Sequence, residues 1–261
     1  MDSMQDGRNS LEKIELLRVN VSLSHPDEVL DYIDEVINSS GRALIANVNI
    51  HALNLAYEQE WFRRFLNNAD LVFCDGMGVM LGARLLGYNL PERFTPADWA
   101  WRLAALSAQN GFSIYLLGSP SGVGEGAARS LKERFPELRI VGTHHGFFDM
   151  SSGSVENLAV LDHINAVNPN ILFVGFGMPL QERWLQENWS RLQANVAIPC
   201  GALFEYLSGD LPRGPRWMTE NYLEWLARVL ISPRRYGKRY LRDVPVFLYR
   251  ILKQRLAHAP E

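Results

Sequence analysis

The sequence predicts an α/β protein: a Rossmann-like, mainly parallel sheet with helices on both faces, followed by a helical appendage at the C-terminus. Short runs rich in Val, Ile, Leu and Phe recur along the chain, and each is followed by a segment in which apolar residues repeat with the helical period. Strands that are apolar throughout and alternate with helices of about ten or more residues are typical of a parallel sheet covered on both faces. After Gly209 the pattern becomes helical and basic, which predicts the appendage.

The predicted strands and helices alternate in chain order. The strands are LLRVNV, ALIANVN, LVFC, SIYLLG, LRIVG, ILFVGFG and VAIPCG. The helices lie near residues 26–39, 51–68, 77–87, 96–110, 122–135, 152–167 and 180–193. These elements divide the chain into a poorly ordered N-terminus (1–13), an α/β domain (14–210) and an appendage (211–261) of two or three short helices, interrupted by Pro233 and Pro245.

The composition is that of a globular protein. With 47% hydrophobic and 21% charged residues, the chain is neither disordered nor an integral membrane protein. No apolar stretch approaches the roughly 18–20 residues needed to span a bilayer, and the polar start MDSMQDGRNS does not resemble a signal peptide. Cys74 and Cys200 each end an apolar run, which predicts buried free thiols in a reducing compartment rather than a disulfide. The sequence therefore indicates the cytosol.

The net charge is distributed unevenly along the chain. From Leu211 to Glu261 there are eleven Lys and Arg residues against four Asp and Glu, a net charge of +7. The first 210 residues carry −10, which together with the tail gives the overall −3. A basic, aromatic tail on an acidic body indicates that the tail meets an anionic partner.

Asp75 stands where an apolar strand gives way to a glycine-rich turn. The stretch ADLVFCDGMGVM places it directly after LVFC and directly before Gly-Met-Gly. Because parallel sheets bind ligands at the carboxyl ends of their strands, this carboxylate belongs to the predicted ligand-binding rim. Two roles stay open for it: N-cap of the helix that begins near Met77, or a proton acceptor tuned by a partly dry environment.

Other polar residues fall at this rim or in the loops beside it. Arg93 lies in the proline-bounded loop LPERFTPADW, where it could meet a phosphate. In GMPLQERW, Gln181 and Glu182 occupy the first turn of a predicted helix, whose free N–H groups face the rim. The basic tail begins with three arginines, Arg213, Arg216 and Arg228.

Several common cofactor and metal signatures are missing from the sequence. The first predicted strand is followed by no Gly-x-Gly-x-x-Gly, and the nearest substitute, GSPSGVGEG (118–126), is typical of a plain strand-to-helix turn. No Asp-x-Asp pair is present to hold Mn²⁺ or Mg²⁺ on a diphosphate. His144 and His145 are adjacent, so they cannot both project the same way from a strand. The sequence therefore predicts no metal site and no cofactor.

Five motifs together resemble one enzyme family. They are CDGMG with a following ARLLG, then PERFTPADW, GTHHGFFD, GFGMPLQERW and the run PRGPRWMTENYLEWLARVLISPRRYGKRYL. In this order and spacing they resemble the WecG/TagA/CpsF family (glycosyltransferase family 26) over roughly Ile14 to Leu241. The resemblance implies inverting, metal-independent transfer of a sugar from a UDP-sugar to a polyprenyl-diphosphate-linked saccharide, at the cytoplasmic face of the membrane, in cell-wall or extracellular polysaccharide synthesis.

The resemblance also implies roles for individual residues. Asp75 matches the proposed catalytic base, and the two glycines after it would clear room for a sugar. Asn49 matches a pocket residue, whereas Asn47 replaces the usual threonine. The remaining matches are the loop arginine Arg93, the Gln-Glu pair Gln181 and Glu182, and the donor-sugar contacts Thr95 and Asp98, between which Pro96 replaces a glycine.

The appendage is implied to complete the active site and to bring the enzyme to the membrane. Arg213, Arg216 and Arg228 would then meet the UDP phosphates. Val244 to Leu256 could form an amphipathic helix with Phe247, Leu248, Ile251 and Leu252 on one side, facing either the membrane or the core of the protein. Apolar surface beneath the tail would permit homo-oligomerisation, and no nucleic-acid partner is expected.

Two other functions stay open on the sequence alone. A Rossmann-type oxidoreductase or epimerase would bind NAD, although the missing glycine fingerprint argues against this. A non-catalytic membrane-associated scaffold of polysaccharide assembly would tolerate replacement of Asp75 and Arg93. Stabilisation by UDP rather than NAD, and loss of activity on changing Asp75, would separate the glycosyltransferase from both.

Overall fold

A computed structural model describes residues 11–91, 95–212, 214, 218 and 224–257. The predicted fold class is confirmed: six parallel strands form one sheet in the order β4-β3-β8-β7-β5-β6, with helices on both faces. The strands are β3 (Ala43–Val48), β4 (Leu71–Cys74), β5 (Ser113–Gly118), β6 (Arg139–His144), β7 (Ile171–Gly175) and β8 (Val196–Pro199). All five neighbouring strand pairs are parallel, so the carboxyl ends of these strands meet at one rim.

The helices between the strands follow the predicted periodicity. They are α1 (Pro26–Asn38), α2 (Ile50–Glu58), α3 (Glu60–Asn68), α4 (Met77–Leu85), α5 (Pro96–Asn110), α6 (Val123–Arg134), α7 (Val155–Val167), α8 (Leu180–Asn188) and α9 (Leu203–Ser208). Alternate side chains of each strand enter two separate cores. Along β3, Ala46 and Val48 pack into one core, and Ala43 and Ile45 into the other. The sheet is therefore apolar on both faces, as its unbroken hydrophobic runs indicate.

The first predicted strand, LLRVNV, is wrong. It spans the turn of an antiparallel hairpin, formed by β1 (Lys13–Leu16) and β2 (Val19–Ser22), which is separate from the main sheet. Leu17 and Arg18 form the turn with φ of +50° and +70°. A two-residue turn with positive φ at both positions matches the twist of a hairpin, but Asn-Gly or Asp-Gly normally signals it. Here burial of Leu17, which is 2% exposed, holds the unusual conformation.

Two predicted helix boundaries also differ from the structure. The segment predicted as one helix over 51–68 is two, α2 and α3, because Gln59 takes an extended conformation between them (φ −119°, ψ 110°). The helix predicted over 180–193 ends at Asn188, and a short 3₁₀ turn (Trp189–Arg191) follows. Both segments keep a helical period across the break, which is why the pattern alone does not show it.

The described part of the C-terminal region is helical, and its helices are interrupted before Pro233, as predicted, but not at Pro245. Its described helices are α10 (Glu224–Ile231) and α11 (Pro233–Ala257), and α11 runs for 25 residues with Pro245 in its interior. Pro233 opens α11, where proline costs no hydrogen bond. Pro245 is exposed, so the Leu241 carbonyl that loses its helical partner lies on the side open to water. None of the helices in the described ranges is both long and apolar enough to cross a membrane.

Helix α11 packs against the body of the protein along one face. Phe247 and Ile251 are buried between α2 and α4, and a Cβ added to Gly82 would lie 2.5 Å from the Phe247 ring. Arg250 donates to the Asn54 side-chain oxygen at 3.0 Å, and Gln254 accepts from the backbone N–H of Leu17 at 2.9 Å. The apolar side of residues 244–256 was predicted to face either the membrane or the core of the protein. Phe247 and Ile251 face the core.

Candidate active site

A cavity of about 670 Å³ lies at the carboxyl rim of the sheet, between the ends of β3 and β4 and helix α11. Polar lining comes from both sides of the cavity: Asn49, His51, Asp75, Thr95, Arg239 and Asp243. Apolar lining comes largely from α11, with Leu241, Val244, Pro245, Phe247 and Leu248. The C-terminal helix therefore forms a wall of the cavity in which the predicted catalytic carboxylate is found.

Asp75 lines this cavity and is half-buried. Its backbone N–H donates to the Val48 carbonyl at 2.8 Å, so pairing with β3 continues one residue beyond β4. The N-cap position of α4 belongs to Gly76 instead, which corrects the helix-cap alternative for Asp75. The carboxylate is thus held at the end of a rigid strand and borders the cavity.

The two glycines after Asp75 serve the backbone and the packing of helices. Gly76 has φ of +97°, a conformation that residues with a Cβ rarely adopt. A Cβ on Gly78 would lie 2.1 Å from the Ile50 side chain, so this glycine lets α4 approach α2 closely. Both glycines also line the cavity, so the expectation that they clear room for a sugar stays a prediction.

Of the two asparagines near the end of β3, Asn49 borders the cavity. Its side chain caps α2 by accepting from the Ala52 N–H at 3.1 Å, and Arg239 donates to the same oxygen at 3.5 Å. Asn47 is buried and donates to the Pro199 carbonyl at 2.7 Å, linking β3 to β8. The structure therefore places Asn49 at the cavity and Asn47 within the sheet.

Thr95 and Asp98 are joined at the start of α5. The Thr95 hydroxyl donates to the Asp98 carboxylate at 2.5 Å. Thr95 is buried and lines the cavity, whereas Asp98 is exposed in the first turn of the helix. The hydrogen bond joins the two side chains, and Thr95 is the member at the cavity.

Gln181 and Glu182 lie beneath the rim, fully buried. The Gln181 side-chain oxygen accepts from the N–H groups of Gly177 and Gly201, each at 3.0 Å, and its amide donates to Glu182 at 2.8 Å. Gln181 thus links the loops that follow β7 and β8 by two hydrogen bonds. Burial raises the pKa of Glu182 to about 7, and its second oxygen has no hydrogen-bond partner among the described residues.

Four predicted arginines cannot be placed at the cavity from the structure. Arg93, Arg213 and Arg216 lie outside the described residues, and so does the side chain of Arg228. Both predicted free thiols are buried. Burial and the neighbouring Asp75 charge raise the pKa of Cys74 above its ordinary range, so this thiol stays protonated beside the cavity.

Among the cavity residues that were not identified from the sequence, His51, Arg239 and Asp243 lie together. The His51 Nδ1 lies 2.7 Å from an Asp243 carboxylate oxygen, and Arg239 Nε lies 3.8 Å from the same oxygen. His51 ends the stretch NVNIH (47–51), and Asp243 is an acidic residue in a basic tail. The pairing joins positions 192 residues apart, which no local pattern reveals. Within the described part of the chain, no three His, Cys, Asp or Glu residues form a group that could hold a metal ion.

Comparisons with known proteins agree on one family. The model described as "Glycosyl transferase WecG/TagA/CpsF family" matches residues 14–261. A protein of Staphylococcus aureus (strain MRSA252), named N-acetylglucosaminyldiphosphoundecaprenol N-acetyl-beta-D-mannosaminyltransferase, is 26% identical over 248 residues, which is 94% of each chain. Proteins of the same name from strains NCTC 8325 / PS 47 and MW2 are 26% and 25% identical over the same length.

Proposed function

The chain belongs to the WecG/TagA/CpsF family of glycosyltransferases, and from that premise we propose that it moves a sugar from a UDP-sugar to a saccharide carried on a polyprenyl diphosphate. The transfer inverts the anomeric carbon and needs no metal ion. The names of the relatives from Staphylococcus aureus specify an N-acetylglucosaminyl diphospholipid as acceptor and N-acetylmannosamine as the sugar transferred. The observation that carries the proposal is the position of Asp75 in a large cavity at the carboxyl rim of the sheet.

In the proposed reaction Asp75 is the general base. It takes the proton from an acceptor hydroxyl while that oxygen attacks the anomeric carbon on the face opposite UDP. The new carbon–oxygen bond forms as the bond to UDP breaks, and the electron pair of the broken bond leaves with the diphosphate. One displacement accounts for the inversion. The proton ends on Asp75, from which water removes it.

Positive charge and free N–H groups around the cavity support departure of the diphosphate. The N-terminal ends of α2 and α4 both reach the cavity, α2 through its cap Asn49 and Ile50, and α4 through Met77 and Gly78. The N-terminus of a helix favours an anion because its first N–H groups lack helical partners. Arg239 adds a cation at the cavity wall. We assign the same role to Arg93, Arg213, Arg216 and Arg228.

The surface of α11 supports docking at the membrane. One exposed stripe of this helix is apolar, with members three or four residues apart: Leu241, Pro245, Tyr249, Leu252 and Leu256. Basic residues flank it, among them Arg242, Lys253 and Arg255. Leu241 and Pro245 also line the cavity. A lipid chain could therefore run from the cavity along the stripe into the membrane, while the opposite side of α11 packs on the protein.

A binding screen followed by a transfer assay tests this function. UDP and UDP-sugars, with UDP-N-acetylmannosamine included, should raise the melting temperature, whereas NAD should not. The sugar should then pass to a short-chain prenyl-diphosphate N-acetylglucosamine, with unchanged rate in EDTA. Stabilisation by NAD without UDP binding, or strict dependence on Mn²⁺, would contradict the proposal.

The base assignment has a test of its own. Asp75→Asn should fold, bind UDP and lose at least about 100-fold in kcat, the scale of general-base catalysis. Asp162→Asn, an exposed aspartate on α7, is the matched control and should keep full activity. Near-normal transfer by Asp75→Asn would remove Asp75 from the mechanism.

A further inference from the structure

The cavity contains a pair of hydrogen-bonded polar side chains that the proposed reaction does not use. His51 lies in the first turn of α2, and its Nδ1 is 2.7 Å from the carboxylate of Asp243 on α11. Asp243 is 8% exposed, and its backbone carbonyl accepts from the Asn54 side chain at 2.9 Å. Both members of the pair line the same cavity as Asp75. We call them the His51–Asp243 dyad.

The hydrogen bond with Asp243 determines which ring nitrogen of His51 keeps a lone pair. That nitrogen is the one that can accept a hydrogen bond from a ligand. An ionised carboxylate only accepts hydrogen bonds, so Nδ1 carries the proton that it donates to Asp243. Burial, followed by the charge of Arg239, lowers the pKa of His51 below its ordinary 6.5, so the ring is neutral at pH 7. Nε2 then carries a lone pair, and no residue that the structure describes donates to it.

This lone pair selects the kind of group that can bind. Nε2 accepts a hydrogen bond from an O–H or N–H, whereas the oxygens of a diphosphate diester carry no proton at neutral pH. The ligand group is therefore a hydroxyl or an amide N–H, as sugars and acetamido groups provide. The surrounding α11 wall is apolar, with Leu241, Val244 and Leu248. Such a wall suits a lipid-linked saccharide better than the charged part of a nucleotide.

We propose that the His51–Asp243 dyad recognises the acceptor sugar: His51 Nε2 accepts a hydrogen bond from a sugar hydroxyl or acetamido N–H, and Asp243 holds the ring in place. The proposal rests on the proposed glycosyltransferase function. His51 is in this view a substrate-positioning residue, and Asp243 acts through it. The dyad also ties acceptor binding to the docking of α11, because its two members come from α2 and α11.

Two substitutions of His51 separate recognition from structural support. In His51→Asn the amide can take the place of Nδ1 and keep the bond to Asp243, but nothing replaces Nε2. In His51→Gln the amide reaches the Nε2 position and offers an oxygen that accepts. We expect KM for the prenyl-diphosphate N-acetylglucosamine to rise about tenfold in His51→Asn, the scale of one hydrogen bond, and to be largely restored in His51→Gln.

The donor side and an exposed histidine provide the controls. KM for the UDP-sugar and the affinity for UDP should change less than twofold in both His51 variants. His25→Gln, at an exposed position before α1, should leave every constant unchanged. Melting temperatures measured alongside identify a variant that fails to fold. In that case Asp243→Asn, which keeps the size of the side chain, replaces that variant in the test. It should likewise raise only the KM for the acceptor.

The pH dependence of acceptor affinity distinguishes a hydrogen bond to His51 Nε2 from a purely structural role of His51. Arg239, Arg242 and Asp243 on α11 act on the His51 ring, and Asp75 shares its cavity, so Asp75→Asn is used as background to remove that carboxylate. Protonation of His51 removes the Nε2 lone pair. Acceptor affinity in Asp75→Asn should therefore fall only at a pH below the ordinary histidine pKa of 6.5, because burial lowers the pKa of His51, and it should stay flat when His51→Gln is added.

The outcomes distinguish this inference from the proposed function. Absence of UDP binding and of transfer in the wild-type protein overturns the proposed function itself. Normal wild-type transfer with an unchanged acceptor KM in His51→Asn overturns only the acceptor role of the dyad. A selective rise in the KM of the UDP-sugar would instead assign His51 to the donor, and would also overturn the proposal as stated.

Discussion

Asp75 owes its place at the cavity to the residues on either side of it. The β4 strand is buried along its whole length, and pairing with β3 extends to the Asp75 N–H, so the backbone of the carboxylate is fixed. Gly76 then takes a conformation with positive φ and begins α4 without a side-chain cap. The sequence signal at this site, an aspartate between a strand and two glycines, is therefore local, and this is why it could be found without the structure.

Glu182 is the residue whose ionisation should most affect stability. Burial raises its pKa to about 7 from an ordinary 4.5, so the folded state holds its proton more tightly than the unfolded state does. The resulting stability is fully present below about pH 4.5 and is lost as the pH rises through about 7. We expect this group to remove on the order of 3 kcal/mol from the free energy of unfolding between about pH 4.5 and 8.

Denaturant unfolding of the wild type and Glu182→Gln across this pH range measures the effect. Gln is neutral at every pH and can keep the contact with the Gln181 amide. The variant should gain stability relative to the wild type as the pH rises. Parallel pH curves for the two proteins would mean that Glu182 ionises in the folded state as freely as in the unfolded one.

Helix α11 is the element whose placement the sequence predicts least well. Its amphipathic pattern is visible, and Phe247 and Ile251 are apolar at helical spacing, but the pattern does not say whether the apolar face meets lipid or protein. The answer depends on Gly82, Asn54 and the β1–β2 hairpin, which are far away in sequence. For the same reason the sequence identifies Asp75 and Thr95, whose motifs are contiguous, and misses the dyad of His51 and Asp243.

Gly82→Ala should displace α11 without disturbing the sheet. The added Cβ would lie 2.5 Å from Phe247 Cζ and 3.3 Å from Ile251 Cδ1, in a buried contact. Overpacking of this kind costs about 1–3 kcal/mol. We expect a loss of that size in the free energy of unfolding, together with a rise in the acceptor KM because the cavity wall moves.

Gly153→Ala is the matched control, because a Cβ there meets no atom within 4 Å. It should change neither stability nor KM by a measurable amount. If Gly82→Ala retained wild-type stability and KM, the docking of α11 on α4 would be looser than the packing of Phe247 indicates.

At the scale of the whole molecule, α11 has two working faces. Its inner face completes the cavity, and its outer stripe carries exposed apolar side chains with basic neighbours; Leu241 is 81% exposed and Leu256 78%. Apolar side chains exposed in this way along a helix indicate an interaction surface. In the proposed membrane docking, the acidic body and the basic tail would also orient the protein, since an anionic bilayer attracts positive charge and repels negative charge.

Replacing two leucines of the stripe tests the membrane surface. Leu252→Ser/Leu256→Ser should bind vesicles containing anionic lipid at least about tenfold more weakly, because each leucine contributes roughly 1 kcal/mol or more when it is inserted. Sedimentation with vesicles measures this binding. Added salt should weaken the binding of the wild type, because it screens the attraction between the basic residues and the anionic lipid.

Val155→Ser, an exposed apolar position on α7, is the control and should bind as the wild type does. Transfer to a water-soluble short-chain acceptor should survive the double substitution, since neither leucine lines the cavity. Unchanged vesicle binding by the double variant would place the membrane contact elsewhere on the protein.

The composition of the cavity has a consequence for the order in which the protein becomes active. The side of the cavity that holds Asp75 comes from residues 49–95, whereas the opposite wall comes from residues 229–248. A ribosome releases the N-terminal part first, so the sheet could assemble around the carboxylate while the site still lacks one side. A nascent chain would therefore carry its base without a competent site. The proposed catalysis and membrane contact would both begin only when α11 has been made.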